Sequence, residues 1–455
     1  MHRFTVAVAR RVFFYFVFFT TSCLAQDRVS DALEALDHAL VGEKGISEVT
    51  RHALRRVVGE IRDERIRYGP MVSELDTKLT AIVNEMELTQ DMPNVAMLSN
   101  PRTKLTLSGD FRYRFEASFD QDGRADRYRQ RIRTRLAANF QINDEVKVGV
   151  RFITGDPDDP NSPHQTLGNV FDSFAVSLDR VNLVYSPKWL PGLSATVGKF
   201  GNSFRMNPVY GELVWDADVQ PEGALLEYVV STDGALKSFE FRAGLFDVLE
   251  QGNADDAFAY TGQIAATFRL ASDLQLAASA AYYYWTDPTP DGSQSILGDD
   301  AGNVLVDRNL DGLVDDFQSD FGILDLVAAV TYDRWVVPLT LAGEFIWNHR
   351  AEGERDMGFA VGIAAGSTAK PGDWKVFYTY QIVEQDAVFS PVAQDDFLLQ
   401  TNHQSHLLGI DYKVADDIGI RLWTLISARD TLGTGLTNDE GHEQFRIRLD
   451  LNITF

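Results

Sequence analysis

Five arginines stand at alternate positions, Arg127, Arg129, Arg131, Arg133 and Arg135, in the stretch RYRQRIRTR of a chain whose formal net charge is −24. A guanidinium keeps its charge at every physiological pH and offers a planar fork of donors, so such a ladder can hold or steer anions. Spacing by two is the repeat of a β-strand, and it puts all five on one face of a sheet. That geometry and the acidic balance argue against a nucleic-acid partner, whose usual footprint is a basic domain. The same alternation carries Arg112 and Arg114 in the stretch before, Lys147 and Arg151 in the stretch after, and Arg446 and Arg448 at the end of the chain.

Opposing chemistry comes from RMNPVYGELVWDADVQPEGA, whose Glu212, Asp216, Asp218 and Glu222 form an acidic link between two strand-like segments. A third group of oxygen ligands is Asp307, Asn309, Asp311 and Asp315 in DRNLDGLVDD, with Gly312 at the turn, matching the start of an EF-hand loop. It also looks like the calcium loops of dockerins and thrombospondin type 3 repeats. Its twelfth position is Gln318 rather than the bidentate glutamate, so the expectation is weak Ca²⁺ binding in an external loop and no required cofactor. His403 and His406, three apart, fall on opposite faces of a strand. The chain has no G-x-S-x-G, H-E-x-x-H, P-loop or dinucleotide fingerprint, so no enzymatic activity is expected.

The elements that must position these residues divide the chain into three. Residues 1–25 read as a signal peptide: Arg3, Arg10 and Arg11, the apolar run from Val12 to Thr20, then Cys23-Leu24-Ala25 as the cleavage pattern. Cleavage there removes the only cysteine. Residues 26–100 read as a periplasmic helical segment. One register, Leu54, Val58, Ile61, Tyr68, Val72, Leu75, Leu79, Ile82, Met86, has coiled-coil spacing and is interrupted at Arg65 and Gly69-Pro70. From residue 101 to 455 the period becomes two. In the last segment Phe445, Ile447, Leu449, Leu451, Ile453 and Phe455 alternate with Arg446, Arg448, Asp450, Asn452 and Thr454.

Sixteen such segments can be read, near 103–119, 127–142, 145–154, 172–187, 193–204, 222–231, 236–249, 258–270, 273–286, 320–333, 335–349, 356–366, 372–386, 404–414, 417–430 and 443–455. Tight connections alternate with long acidic ones, as in a barrel with short periplasmic turns and long external loops. Aromatics at Tyr282 to Trp285, Trp335, Phe345, Trp347 and Trp423 are expected in its interfacial girdles. The predicted fold class is therefore an all-β membrane protein, an antiparallel transmembrane β-barrel of about sixteen strands preceded by a helical segment.

Four stretches, RYRQRIRTRLAANFQINDEVKVGVRF, DPNSPHQTLGNVF, VGKFGNSF and LVWDADVQPEGALLEY, resemble in order the Gram-negative "putative porin" family, over about residues 105 to 230. Asn161-Ser162-Pro163-His164 departs from the Thr/Asn-rich loop of relatives. The resemblance implies an outer-membrane pore without naming a solute. On this reading the arginines line a water-filled lumen and the acidic link forms a constriction loop. The expected partners are the outer-membrane bilayer, small polar solutes and a homotrimer. The alternative is a structural tether with a plugged barrel and periplasmic helices contacting the envelope.

Overall fold

Alternating apolar and polar side chains over long segments leave each strand with one face for lipid and one for water. A sheet in lipid must also pair every backbone group, which only closure achieves. The computed structural model describes residues 104–455 except 120–124, 157, 158, 251–255, 287–300, 309, 311, 313, 315, 335, 398 and 431–442. The segments read as a signal peptide and as helical lie outside the described residues.

Sixteen strands make the barrel. The first half comprises β1 (Lys104–Phe119), β2 (Arg127–Gln141), β3 (Val146–Thr154), β4 (Val176–Tyr185), β5 (Leu193–Lys199), β6 (Glu222–Ser231), β7 (Leu236–Leu249) and β8 (Ala257–Ala271). The second comprises β9 (Leu274–Trp285), β10 (Gly322–Tyr332), β11 (Leu339–Asn348), β12 (Met357–Gly366), β13 (Trp374–Val383), β14 (His403–Ala415), β15 (Ile418–Arg429) and β16 (Gln444–Thr454). Sequential strands pair antiparallel, and β16 returns to β1 in a register running from Asp110↔Thr454 to Phe119↔Phe445. The seam is finished by Phe455, whose N–H donates to the Gly109 carbonyl at 3.0 Å while Gly109 N–H donates back at 2.7 Å. A Cβ on Gly109 would meet the Phe455 ring at 2.5 Å, so the terminal aromatic occupies the space that the glycine leaves.

Links 142–145, 232–235, 272–273 and 416–417 at one rim are short, whereas 155–175, 200–221, 286–321 and 384–402 at the other are long. The outer face is apolar, with Phe241, Leu245, Ile264, Leu341, Val361, Ile363, Leu408 and Ile410 exposed toward lipid. Of the aromatics expected in girdles, Tyr282, Phe345 and Trp347 do face outward. Tyr283, Trp285 and Trp423 are buried instead, because alternation along β9 and β15 turns these positions into the lumen. Trp335 lies outside the described residues.

The fifth segment, expected to run to residue 204, ends at Lys199. Gly198 takes a φ of +108°, and Phe200 turns inward with its N–H on the Pro221 carbonyl at 3.0 Å. Links 200–221 and 384–402 then fold into the barrel. Trp215 stacks on Trp285 at 6.1 Å and on Tyr283 at 6.3 Å, and Phe389 sits 4.3 Å from Trp285. With Phe246, Phe317 and Phe321 these rings form an apolar core inside the barrel against β7, β9 and β10. The polar side of the two links is thereby pressed toward the opposite wall.

Candidate functional site

Register decides what the arginine ladder touches. Pairing of β1 with β2 sets Arg112 opposite Arg133 and Arg114 opposite Arg131, like charges that destabilise a sheet unless opposed. Carboxylates from the same wall interleave with them. Asp110 accepts from Arg133 at 2.9 Å and Arg135 at 2.6 Å, and Asp450 takes a two-pronged bond from Arg114 at 2.7 and 2.9 Å. Glu116 lies between Arg129 and Arg448. Across the top of this grid the Trp423 ring lies 5.2 Å from the Arg114 guanidinium, 4.9 Å from that of Arg448 and 5.6 Å from that of Arg421.

The inward links supply the opposing wall. They are tied to each other where Asp216 N–H donates to the Val392 carbonyl at 2.8 Å and Gln394 N–H to the Glu212 carbonyl at 3.1 Å. Link 200–221 is also clamped to β8, where Gln263 accepts from Arg205 N–H at 2.7 Å and donates to its carbonyl at 2.8 Å. Between walls lies a cavity of about 330 Å³. Arg112, Arg114, Arg131, Arg133, Arg135 and Arg421 line one side, and Glu212, Asp216, Asp218, Asp395 and Asp396 the other. Contact is made at the edges, with Asp218 3.4 Å from Arg135 and 3.6 Å from Arg133, and Asp396 on Arg448 and on the Tyr210 hydroxyl.

The acidic wall titrates unusually. Burial, followed by Asp396 and Asp218 nearby, pushes Glu212 up to about 8. Burial and then Asp396 push Asp395 up to about 6, against the pull of Arg448 and Arg131. Burial and then Glu212 raise Asp216 as well. Burial also opposes ionisation of Asp396, but Arg448 and Arg114 outweigh it and hold that carboxyl below its ordinary range. A raised carboxyl is neutral below its own pKa, so acidification removes negative charge from the links while the arginines keep theirs. If current runs through this cavity, selectivity should move toward anions between about pH 9 and about pH 5. Reversal potentials in a fixed KCl gradient at the two pH values check this, and an unchanged potential would mean that these acids do not titrate in the current path.

Other sequence-predicted residues fall as follows. Arg127 is exposed at the long-loop end of β2. Arg129 binds Glu116 and Arg151 binds Asp179, while Lys147 sits opposite Gln141 at the short-turn rim, outside the cavity. Arg446 donates to the Asp396 carbonyl at 2.5 Å. Glu222 was expected in the constriction loop, but it is the first residue of β6, on the outward parity of Ala224 and Leu226, and pairs with Lys199 at 2.6 Å. Asn309, Asp311 and Asp315 lie outside the described residues, and Asp307 accepts Gly312 N–H at 3.1 Å.

Alternation puts Asp110, Glu116 and Asp450 on the same faces as the arginines, but sequence reading did not name them as the partners that answer the ladder. It also missed Asp395 and Asp396, in a link read as external; Ala387, Val388, Phe389, Val392, Ala393, Phe397 and Leu399 in that link were the signal that it turns inward. Asn161-Ser162-Pro163-His164 also reaches the cavity, with Arg131 donating to Ser162 Oγ at 2.7 Å and Asn161 Nδ2 to the Ala393 carbonyl at 2.8 Å.

Residues 120–302 match a family model described as "Putative porin". No curated protein matches the chain. Among solved structures, OprB of Pseudomonas putida in a high-pH form aligns at 15% identity over 80% of this chain and 96% of that one, with a TM-score of 0.51. A loop-deletion mutant of OmpT, an outer membrane protein of Vibrio cholerae, aligns at 13% identity over 78% of this chain and 100% of that one, with a TM-score of 0.46. OmpF of Salmonella typhi, in complex with daunomycin, aligns at 14% identity over 78% and 99%, with a TM-score of 0.44. The likeness to OprB supports the fold alone. With the family match and the closed sixteen-stranded sheet together, the chain is a Gram-negative outer-membrane β-barrel whose residues 120–302 match the "Putative porin" family model.

Proposed function

We propose that the chain is a passive diffusion channel for small polar solutes and ions, which are selected by size and by the field between the arginine wall and the inward links. The observation that carries this reading is the cavity with arginines on one side and carboxylates on the other. Charges fixed on opposite walls of a narrow, low-dielectric passage orient dipolar solutes and set ion preference. Liposomes containing the purified protein should swell in isotonic solutions of small neutral sugars, at rates that fall steeply with sugar size. Swelling no faster than in protein-free liposomes would refute free diffusion.

A plugged barrel acting as an envelope tether is the second reading, and the aromatic core inside the barrel favours it. Deleting residues 27–97 separates the two, since a tether then loses its role and a channel keeps its permeability.

A homotrimer is part of the proposal. Lys199 and Glu222 form an ion pair on the outward face of the barrel, where a charge facing lipid costs free energy that rises toward the bilayer midplane. Beside it β5 is only seven residues long, and on β2 the outward Gln130 accepts from Tyr113 at 2.9 Å. A subunit contact over this wall would remove these polar groups from lipid. Mass measurement in detergent should give three chains per particle, and a particle of one chain would remove the trimer from the account.

A further inference from the structure

Most charges around the cavity are already answered, and the few that are not are divided between its sides. On the arginine side, Arg114, Arg133 and Arg135 have Asp450 or Asp110, and Arg421 has Asp411 in a two-pronged bond at 2.5 and 2.9 Å. Arg112 donates only to the neutral Asn452, and Arg131 only to Ser162 Oγ and the His164 carbonyl. Neither has a carboxylate within 4.0 Å among the described residues. Among the described residues Arg131, 8% exposed, has no acceptor for its Nε, and His164, also 8% exposed and lining the same cavity, has an unpartnered Nε2.

On the link side, Asp218 is met by Arg133 and Arg135, and Asp396 by Arg448. Asp216 is held by backbone N–H groups of Asp218 at 2.7 Å and Asp395 at 3.3 Å. Glu212 and Asp395 keep part of their surface open to the cavity, and neither has a cation within 4.0 Å among the described residues. A buried donor left without an acceptor, or a carboxylate without a counter-charge, costs free energy that an arriving group of the right kind recovers.

We propose that this cavity is a binding station for small zwitterions, molecules with a carboxylate to meet Arg112 and Arg131 and an ammonium group to meet Glu212 and Asp395. A plain anion would satisfy only the first pair and would be repelled by ionised Asp395. An inorganic cation would do the reverse. A solute ammonium also supplies the counter-charge whose absence, with burial, keeps the Glu212 proton on. The cavity volume lies at the small end of ligand sites, which run from roughly 300 to 1,000 Å³, and so suits an amino acid or a dipeptide.

This inference deepens the channel reading and rests on it. The test uses single channels of the full-length protein in KCl, with glycylglycine, N-acetylglycine or inorganic phosphate added to one side. Glycylglycine should interrupt the current at about tenfold lower concentration than either anion, on the order of one well-placed charge-assisted contact. Arg131→Gln and Glu212→Gln should each erase that advantage. Should Arg131→Gln fail to fold, Glu212→Gln still decides, because it lies on a link outside the barrel ladder. Equal block by N-acetylglycine, stronger block by phosphate, or no block by glycylglycine would overturn the zwitterion site while leaving the channel. A silent bilayer would overturn the channel and this inference with it.

Discussion

Replacing Arg131 and Arg133 together by glutamate should move the channel's preference sharply toward cations. The change removes two positive charges and adds two negative ones on the wall of a cavity whose other side already carries Glu212, Asp216, Asp218, Asp395 and Asp396. At physiological ionic strength the Debye length is about 8 Å, so charges lining a cavity of this size act on any ion inside it. In a tenfold KCl gradient ideal selectivity for one ion gives about 59 mV, and a shift on the order of 20 mV toward the potassium potential is expected. Both substitutions have a structural side. Arg133 answers Asp110, and Arg131 holds Ser162 of link 155–175, so the glutamine pair is the milder control and should give a smaller shift of the same sign. An unchanged reversal potential in both variants would mean that the ladder only stabilises the barrel.

Trp215→Ala should widen the passage without opening the barrel. Trp215 is 4% exposed, packs edge-on to Phe246 at 5.8 Å, stacks on Trp285, and donates its indole N–H to the Val219 carbonyl at 3.1 Å. Removing a ring so enclosed costs about 3–5 kcal/mol, and here the loss falls on the docking of one link rather than on strand pairing. Link 200–221 should then sample positions away from β7 and β9. Single-channel conductance should rise about twofold or more with added current noise, because a constriction that yields no longer limits flow. The barrel should still migrate as the folded form on unheated gels. Unchanged conductance with an intact barrel would show that the link does not limit the current.

Much of this architecture is written in the period of the sequence. Strand positions follow from alternation, since a one-residue slip would reverse every side chain between lipid and lumen. Hence the grid of Arg112, Arg114, Arg131 and Arg133 could be placed on one face from spacing alone. Alternation says nothing about where a polar-faced segment stops being sheet. GKFGNSF keeps the period beyond Lys199, yet Phe200 leaves the wall because its ring gains more among Phe246 and the other buried aromatics. Glu222 shows the reverse case. It lies close in sequence to Asp218, but one step into β6 fixes its parity outward. Asp395 and Asp396 could not be found by charge, since many links are acidic. The clue was apolar content, as residues such as Phe389 and Phe397 have no reason to sit in a solvated external loop. Unanswered charges such as Arg112 and Glu212 were beyond reach, because pairing is a matter of distance.

All of these expectations depend on ions crossing the barrel through the charged cavity. The most direct test is single-channel recording of the purified, folded full-length protein in a planar bilayer, first in symmetric KCl and then across a salt gradient. The account predicts discrete conductance steps, with a reversal potential that moves toward anions on acidification as Glu212 and Asp395 take up protons. A bilayer that stays silent while the protein remains folded would contradict it and leave a barrel closed by its own aromatic core.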